Sequence, residues 1–447
     1  MTNIEVFCEK CKTIANTTQL WCDKCKELNK VQPIEAYFYS NYDLSTMWSL
    51  SDFLPQFNKI MTLSEGNTPC TKISRDKPIK GLILKLEFRN PTGSFRDRAA
   101  SVIVSDALNK KQKKIVGAST GSFNISLAAY SAKAGIKSTN ILPLNLDLSK
   151  KEQIQLYGGE VKEVGETVEE AVEFASDYSR TTSSYLATPE SNILTIEGQK
   201  TIALELVIQK KEISSIIVPK GSGTLILSIF RGYEDAIKSG WMEDIPSIYA
   251  VSLKKTHVSH FAESLESKPS KLHEEVKKIL VQTKGKDIEI DASVMIDKAM
   301  KLAKNEGLFI EPASASVIAA AHQLVETEQI DVNRTVGILT GTGINALNIF
   351  ASQLRGHQKA VWGLSQSSTT KFEILNFIAN KKANYGIAIW NSLGKSPTKQ
   401  SIYQHLNQLE KKGLISVIEP KMKQKKYKIT RKGLEIIERM RALIDYV

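Results

Sequence analysis

"EFRNPTGSFRDRAA", residues 87–100, is the stretch that decides the fold. The apolar run just before it, "GLILKLEF" (81–88), is typical of a buried strand, and a helical pattern begins near Phe95. A turn that contains Gly93 joins the two, and the basic residue Arg96 stands at the start of the helix. In open α/β sheets, ligands bind at loops beyond the carboxyl ends of strands. The stretch therefore places Arg96 where a functional site is expected.

Short apolar runs alternate with longer helical patterns from about residue 81 to residue 345. Continuous apolar strands that alternate with helices favour parallel sheets covered by helices on both faces. There are more strand–helix units than one sheet usually holds, so we predict two α/β lobes. The further predicted strands include "KKIVGAST" (113–120), "STNILPL" (138–144), "SSIIVPKG" (214–221), "SIYAVS" (247–252) and "RTVGILTG" (334–341).

Three glycine-containing loops follow predicted strands: "STGSFN" (119–124), "PKGSGT" (219–224) and "TGTGIN" (340–345). In the second loop, "GSGT" precedes a helical pattern, so its backbone N–H groups and the helix N-terminus form an anion site. A single glycine loop is a weak indicator, because most such loops are only turns. The order of the motifs along the chain carries more information.

That order resembles the fold-type-II pyridoxal-phosphate (PLP) enzymes, most closely threonine synthase, over residues 1–350. The motifs are "SEGNTP" (64–69), "NPTGSFRDR" (90–98), "ASTGS" (118–122), "EGQKTIALE" (197–205), "VPKGSGT" (218–224), "EPASA" (311–315) and "ILTGTG" (338–343). The resemblance implies two lobes with the cofactor between them. It places Arg96 at the Schiff-base lysine position, Ser122 at an asparagine near the phenolic oxygen, Gly221, Ser222, Gly223 and Thr224 at the phosphate, and Thr340 at the ring nitrogen.

Arg96 does not suit the chemistry of the position it occupies. A Schiff base needs a neutral amine, which lysine supplies, whereas arginine stays protonated and is a poor nucleophile. We therefore assign no catalytic residue, and expect PLP, if bound, to be held non-covalently. A laboratory substitution would explain Arg96 alone, but Ser122 and Phe123 also depart from the family pattern. Lys220 is the nearby lysine that would have to substitute; its simpler interpretation is a phosphate contact or a surface residue.

Four cysteines form two Cys-x2-Cys pairs separated by ten residues: Cys8, Cys11, Cys22 and Cys25. Two such pairs place four thiolates around one tetrahedral ion. We predict a zinc-ribbon-like segment over residues 1–35 with a structural zinc, because four protein ligands leave no open coordination position. A disulfide pair is the alternative that a reducing cytoplasm disfavours.

The net charge of +12 is concentrated at one end of the chain. Residues 368–447 contain 16 Lys and Arg against 6 Asp and Glu, a net charge of +10. A nearly neutral body with a basic end suggests a nucleic-acid-binding module. Three helical patterns, a basic hairpin and a closing helix predict a winged helix-turn-helix, and the segment resembles PadR-type regulators, which implies DNA binding as a dimer.

Polar side chains on the third of these helices are expected to read base edges, and basic hairpin residues to contact phosphates. These predicted DNA-binding residues are Lys399, Gln400, Ser401, Tyr403, Gln404, Lys421, Lys423, Lys425 and Lys426. A winged helix that binds protein, or a merely solvated basic hairpin, is the alternative.

The sequence predicts four segments: a zinc-ribbon-like segment (1–35), a threonine synthase-like α/β two-lobe domain (36–362), a linker (363–370) and a winged helix-turn-helix domain (371–447). The leading interpretation is a cytoplasmic, homodimeric transcription regulator, not an enzyme, whose degenerate cleft senses PLP, an amino acid or a phosphorylated amino acid. The alternative is a PLP-dependent threonine synthase-like lyase that also binds DNA. A third interpretation is a protein-binding scaffold. No apolar run approaches the ~18 residues that span a bilayer, so no membrane partner is expected.

Overall fold

The computed structural model describes most of the chain in twelve stretches: residues 4–32, 42–144, 146, 148–210, 212–254, 265, 271–347, 349–350, 366–380, 385–393, 398–418 and 425–445. It divides into two compact units, Met1–Phe350 and Ala351–Val447. Among the described residues, no helix combines the length and hydropathy that a membrane span requires.

The strands are short, as expected for α/β units. They are β1 (Val6–Cys8), β2 (Ile14–Ala15), β3 (Asn29–Val31), β4 (Cys70–Lys72), β5 (Ile83–Lys85), β6 (Lys114–Ala118), β7 (Lys137–Leu142), β8 (Glu160–Glu163), β9 (Tyr185–Leu186), β10 (Ser215–Pro219), β11 (Ser247–Leu253), β12 (Asp287–Ile290), β13 (Thr335–Ile338), β14 (Ile415–Val417) and β15 (Tyr427–Ile429).

The helices alternate with these strands through the first unit. They are α1 (Arg96–Asn109), α2 (Ser122–Ala134), α3 (Leu148–Leu156), α4 (Val168–Thr182), α5 (Leu194–Gln209), α6 (Thr224–Lys238), α7 (Lys271–Gln282), α8 (Ala292–Glu306), α9 (Pro312–Glu326), α10 (Gln366–Ala379), α11 (Gly386–Ser392), α12 (Lys399–Lys411) and α13 (Arg431–Asp445). Short 3-10 helices lie at Met47–Phe53, Lys77–Ile79, Glu87–Arg89, Val332–Arg334 and Gly343–Ala346.

Two α/β sheets make up the body of the first unit. The larger has the order β12-β11-β10-β13-β5-β4, in which every pairing is parallel except that of the edge strand β4 with β5. The smaller has the order β8-β7-β6-β9 and is parallel throughout. The central strands β10 and β13 are buried along their whole length. The prediction of an α/β fold is confirmed, and its two sheets are parallel except at the edge strand β4.

The helix α5 lies at the centre of this unit, and every residue from Leu194 to Leu206 is buried. A helix that is apolar or buried on all sides belongs to the interior, not to a surface. It packs against α1 and α6, and its Gly198 lies against the Arg98 carbonyl near the start of α1. This packing positions Arg96.

The four-cysteine segment at the N-terminus forms a small antiparallel sheet of order β2-β1-β3. It contacts the rest of the unit through hydrogen bonds. The backbone N–H of Leu20 donates to the carbonyl of Ser191 over 2.6 Å. The Thr17 hydroxyl donates to the Asp106 carboxylate over 2.5 Å.

The second unit contains three helices, an antiparallel hairpin and a last helix, in that order. β14 pairs with β15, with Ile415 opposite Ile429. Its own apolar cluster includes Ile374, Ile389, Ile402 and Leu406. α10 begins at Gln366, within the stretch 363–370 for which the sequence predicted a linker. Thr398 caps α12 by accepting a hydrogen bond from the Ser401 N–H over 3.2 Å.

Candidate functional site

A cavity in the first unit lies where the loops beyond β6, β10 and β13 meet the start of α1. These loops lie at the carboxyl ends of their strands, the edge where α/β proteins bind ligands. The structure brings all the sequence-predicted cofactor-site residues into the lining of this cavity: Arg96, Ser122, Gly221, Ser222, Gly223, Thr224 and Thr340.

Arg96 is the first residue of α1 and reaches across the cavity. Its Nη1 donates to the Oγ1 of Thr224 over 3.3 Å. Its guanidinium carbon lies 4.7 Å from the centre of the Phe95 ring. Burial lowers the pKa of Arg96, while the carboxylates of Glu190 and Glu311 oppose the shift. Because an arginine stays protonated in proteins, the cavity holds a permanent cation.

The glycine loop before α6 has the geometry of an anion cradle. Gly223 has a φ of 97°, in the left-handed region, and an added Cβ would lie 2.9 Å from Cγ2 of Val276. Thr224 starts α6, so the N–H groups of the first turn have no partner within the helix. The Gly221 carbonyl, in contrast, contacts Nε2 of His273 at 3.2 Å. The N–H groups of the first turn of α6 are therefore the backbone donors nearest to Thr224 in this loop.

Thr340 lies after β13 and is 4% exposed. Its hydroxyl contacts the Ser314 hydroxyl at 2.8 Å and the Glu311 carboxylate at 3.3 Å. Burial raises the pKa of Glu311, and Lys150 opposes the rise. Ser314 and Glu311 therefore hold the Thr340 hydroxyl in a fixed orientation at the cavity wall.

The loop before α2 carries the second departure from the family pattern. Ser122 is the first residue of α2 and lines the cavity. Phe123, which also lines it, is 1% exposed and packs in the core. The side chain of Asn124, the nearest amide, is fully buried and donates to the Gly117 carbonyl over 3.0 Å. Asn124 thus serves the loop itself rather than a ligand.

These residues fit PLP in part. The glycine loop at a helix N-terminus suits its phosphate, and the Thr340 hydroxyl suits the ring nitrogen as the resemblance implies. The residues do not fit a covalent bond to PLP. Among the described residues that line the cavity, Arg96 is the one with a positive charge, and none is a lysine. The arrangement can hold an anionic ligand at one end and orient a ring at the other.

Lys220 does not substitute for the missing amine. Its ammonium group forms an ion pair with Asp287, and its backbone N–H donates to the Val251 carbonyl over 2.7 Å. Although it adjoins the glycine loop, it is not among the described residues that line the cavity. The side-chain contacts of Lys220 therefore do not support the prediction that it contacts a phosphate.

Sequence reasoning missed two carboxylates and a lysine near the cavity: Glu190, Glu311 and Lys150. Glu311 begins the "EPASA" motif, which signalled the family but not this contact. One Glu190 carboxylate oxygen is buried without a hydrogen-bond partner among the described residues. The Lys150 ammonium donates to the Thr120 carbonyl over 3.3 Å. No local pattern marks Glu190 or Lys150, since both arrive from distant parts of the chain.

The four cysteines predicted to bind metal lie together. Their sulfur atoms are all within 4.8 Å of one another; Cys8 and Cys25 are 3.3 Å apart, and Cys11 and Cys22 are 3.5 Å apart. Four thiols in this arrangement suit a tetrahedral zinc ion.

The predicted DNA-binding residues fall on α12 and the hairpin of the second unit. Lys399, Gln400, Tyr403, Gln404 and Lys425 are exposed. Ser401 and Lys426 are partly buried. Lys421 and Lys423 lie outside the described residues.

Comparison with known proteins gives consistent results. Residues 61–341 match the family described as pyridoxal-phosphate dependent enzyme. The chain is 33% identical to a threonine synthase of Methanocaldococcus jannaschii over 326 residues, which are 67% of this chain and 80% of that protein. It is 29% identical to a threonine synthase of Methanosarcina acetivorans over 352 residues, 71% of this chain and 86% of that one.

Solved structures show the same fold. A maize serine racemase is 24% identical, with a TM-score of 0.55, and the match covers 64% of this chain and 92% of that one. An O-ureido-L-serine synthase is 18% identical, with a TM-score of 0.56, and the match covers 66% of this chain and 94% of that one. At these identities the likeness concerns the fold alone.

Two sequence-based expectations are corrected by these findings. The sequence alone predicts that the chain is not an enzyme, and that it is a DNA-binding transcription regulator with a degenerate sensing domain. Both are wrong, because the relatives are enzymes named threonine synthase. Arg96 departs from the family pattern, whereas the glycine loop 221–224 and Thr340 in the same cavity match it. The alternative interpretation, a PLP-dependent threonine synthase-like lyase, agrees better with these relatives.

Proposed function

Because the chain belongs to the pyridoxal-phosphate dependent enzyme family, we propose that its first unit is a threonine synthase-like enzyme that holds PLP without a covalent bond. The observation that carries the proposal is the cavity in which Arg96, the glycine loop 221–224 and Thr340 meet. Bound PLP supplies an aldehyde and an electron-withdrawing ring for amino-acid chemistry.

The chain's own residues bind and orient the cofactor in this proposal. The N–H groups at the start of α6 and the guanidinium of Arg96 hold the phosphate. The buried hydroxyl of Thr340, fixed by Ser314 and Glu311, would hold the ring nitrogen. Phe95 and Phe123 supply apolar walls that exclude water from one side of the cavity.

The substrate class follows from the relatives' name and from the cavity. An amino acid, or a phosphorylated amino acid of the homoserine type, carries the anionic groups that this cavity suits. The test is threonine formation from phosphorylated homoserine, measured by amino-acid chromatography with and without PLP. We expect PLP-dependent threonine, and a faster rate for Arg96→Lys, which supplies the missing amine. The proposal is contradicted if the wild-type chain forms no more threonine than a reaction that contains buffer alone.

We also propose that the four cysteines hold one structural zinc ion in a zinc-ribbon-like segment. The 4.8 Å limit on the sulfur separations supports this. The ion has no open coordination position for chemistry, since four thiolates complete a tetrahedral site.

We propose that the second unit binds duplex DNA as a winged helix, because polar and basic side chains are exposed on α12 and at Lys425. Lys399 lies 4.7 Å from the Trp390 ring, and Lys426 lies 5.8 Å from the Tyr385 ring, so both cations are positioned beside aromatic supports. Gln400 and Gln404, one turn apart on α12, are exposed and free to face a groove.

Fluorescence anisotropy on a duplex selected from a random pool, against a scrambled duplex, tests this binding. We expect Gln400→Ala to reduce the preference between the duplexes and Lys425→Ala to weaken both and lower the salt dependence. Lys304→Ala, on α8 of the first unit, is the matched control. Equal, weak binding to both duplexes contradicts the proposal. Sedimentation of the full chain tests the accompanying proposal of a homodimer.

A further inference from the structure

We propose that Arg96 makes the cavity select ligands by their phosphate group and not by their aldehyde. Pyridoxal phosphate and pyridoxamine phosphate then bind with similar affinity, and pyridoxal without phosphate does not bind. This rests on the proposed function only in taking PLP-type compounds as the ligand class. It assigns Arg96 the role of a specificity-determining binding residue.

The guanidinium of Arg96 lies beside the first residue of α6. Arg96 Nη1 contacts Oγ1 of Thr224 at 3.3 Å, and Thr224 is the first residue of α6. The side chain therefore points toward the N–H groups of the glycine loop. The planar fork of arginine carries several donors, and a phosphate oxygen placed between Arg96 and the loop receives hydrogen bonds from both.

The charges in the cavity lining are few. Among the described residues that line the cavity, Arg96 is the cation and Glu311 the carboxylate. Lys220, the lysine nearest in sequence to the loop, is paired with Asp287. Glu190 and Glu311 both act on Arg96 electrostatically. Arg96 is therefore the permanent positive charge in the described lining that an anionic phosphate meets at the glycine loop.

Lysine and arginine hold a ligand in different ways. A lysine amine gains affinity from an aldehyde because the two groups form a covalent bond. A guanidinium forms no such bond, so the aldehyde of the ligand contributes nothing at Arg96. Hydrogen bonds to a charged group typically stabilise by enough to change a dissociation constant about 10- to 100-fold. Loss of Arg96 is expected to weaken phosphate-bearing ligands by about this factor.

The experiment is isothermal titration of the full-length chain with four probes: pyridoxal phosphate, pyridoxamine phosphate, pyridoxal and inorganic phosphate. Arg96→Met removes the charge and keeps much of the volume. Arg180→Met, an exposed arginine on α4 paired with Asp177, is the matched control. Arg96→Lys is the second variant, and circular dichroism checks that every variant folds.

For the wild type and Arg180→Met, we expect the two phosphorylated pyridoxal derivatives to bind within about threefold of each other, and inorganic phosphate to compete with both. Arg96→Met should weaken both about 10- to 100-fold. Arg96→Lys should prefer pyridoxal phosphate and show a visible absorption band that borohydride removes. Mass spectrometry should then find the reduced phosphopyridoxyl group at position 96.

Three results would overturn the inference: wild-type preference for pyridoxal phosphate over pyridoxamine phosphate by more than tenfold, unchanged affinity in Arg96→Met, or no binding of either compound. Failure of this inference can be distinguished from failure of the proposed function. Phosphate-selective binding without threonine formation removes the enzyme proposal and keeps this one, whereas threonine formation with aldehyde-selective binding does the reverse.

Discussion

Arg98 lies two residues beyond Arg96, yet it has a structural role. It is fully buried, and its guanidinium donates to Glu87 over 2.7 Å and to Glu205 over 2.6 Å. Lys85 completes the network with an ion pair to Glu205 at 2.7 Å. Burial raises the pKa of Glu205, but Arg98 and Lys85 outweigh it and bring the pKa to about 2. The four side chains satisfy one another in the core.

We expect Arg98→Ala to lower the free energy of unfolding by about 3–5 kcal/mol, because it leaves Glu87 and part of Glu205 as uncompensated buried charges. Urea unfolding followed by circular dichroism measures the change. Arg180→Ala, at an exposed ion pair with Asp177, should change it by less than about 0.5 kcal/mol. Equal effects of the two variants would show that the buried network does not stabilise the fold.

Asp97, between the two arginines, gives a pH-dependent prediction. Burial raises its pKa to about 7, against hydrogen bonds from Thr92, and the charge of Glu65 adds to the rise. Below about pH 4 the carboxyl group is neutral in both folded and unfolded chains. Between about pH 4 and 7 the unfolded chain ionises first, so the free energy of unfolding falls as pH rises.

Asp97→Asn should remove this pH dependence, which amounts to about 4 kcal/mol over the window. The measurement is the difference in free energy of unfolding between wild type and variant from pH 4 to pH 8, which cancels the titration of other groups. A difference that stays constant across the window would mean that Asp97 ionises normally in the folded chain.

At the scale of elements, α1 and α5 pack so closely that only glycine fits between them. A Cβ on Gly198 of α5 would lie 2.2 Å from the Arg98 carbonyl of α1. Gly198→Ala should therefore push the helices apart and cost about 1–3 kcal/mol of folding free energy. It should also move the start of α1 and weaken pyridoxamine phosphate binding at Arg96.

Thermal unfolding and the same titration measure both effects of Gly198→Ala. Gly135→Asn is the control, because Gly135 has a left-handed φ of 68° that asparagine tolerates and no atom within 4 Å of an added Cβ. If Gly198→Ala binds and unfolds like the control, the helix contact does not position the cavity.

At the scale of the whole molecule, the N-terminal sheet depends on metal in our proposal. We expect one zinc ion per chain by elemental analysis, lost in Cys22→Ser or after chelation. Loss should expose residues 4–32 to proteolysis, since a sheet of three short strands has little core of its own. Cys70→Ser, outside the cluster, should keep the zinc; a full zinc content in Cys22→Ser contradicts the assignment.

The sequence by itself determined the family, the alternation of strands and helices, the glycine loop and the cysteine cluster. These features are local: a turn, a buried strand or a Cys-x2-Cys pair depends on neighbours in the chain, and each repeats a pattern with a known physical cause. The resemblance also identified the position of Arg96. The local pattern at Arg96 predicted the function wrongly, because it does not include the side chains that surround Arg96 in the cavity.

Only the tertiary structure decided what surrounds Arg96. Its contact with Thr224 joins residues 128 positions apart, and Glu190 and Glu311 act on it from separate elements. Likewise, Lys220 is drawn to Asp287, 67 positions away. Such pairings are set by the packing of the two sheets and of α5 against α1, which brings distant side chains together in a buried site where charges act strongly.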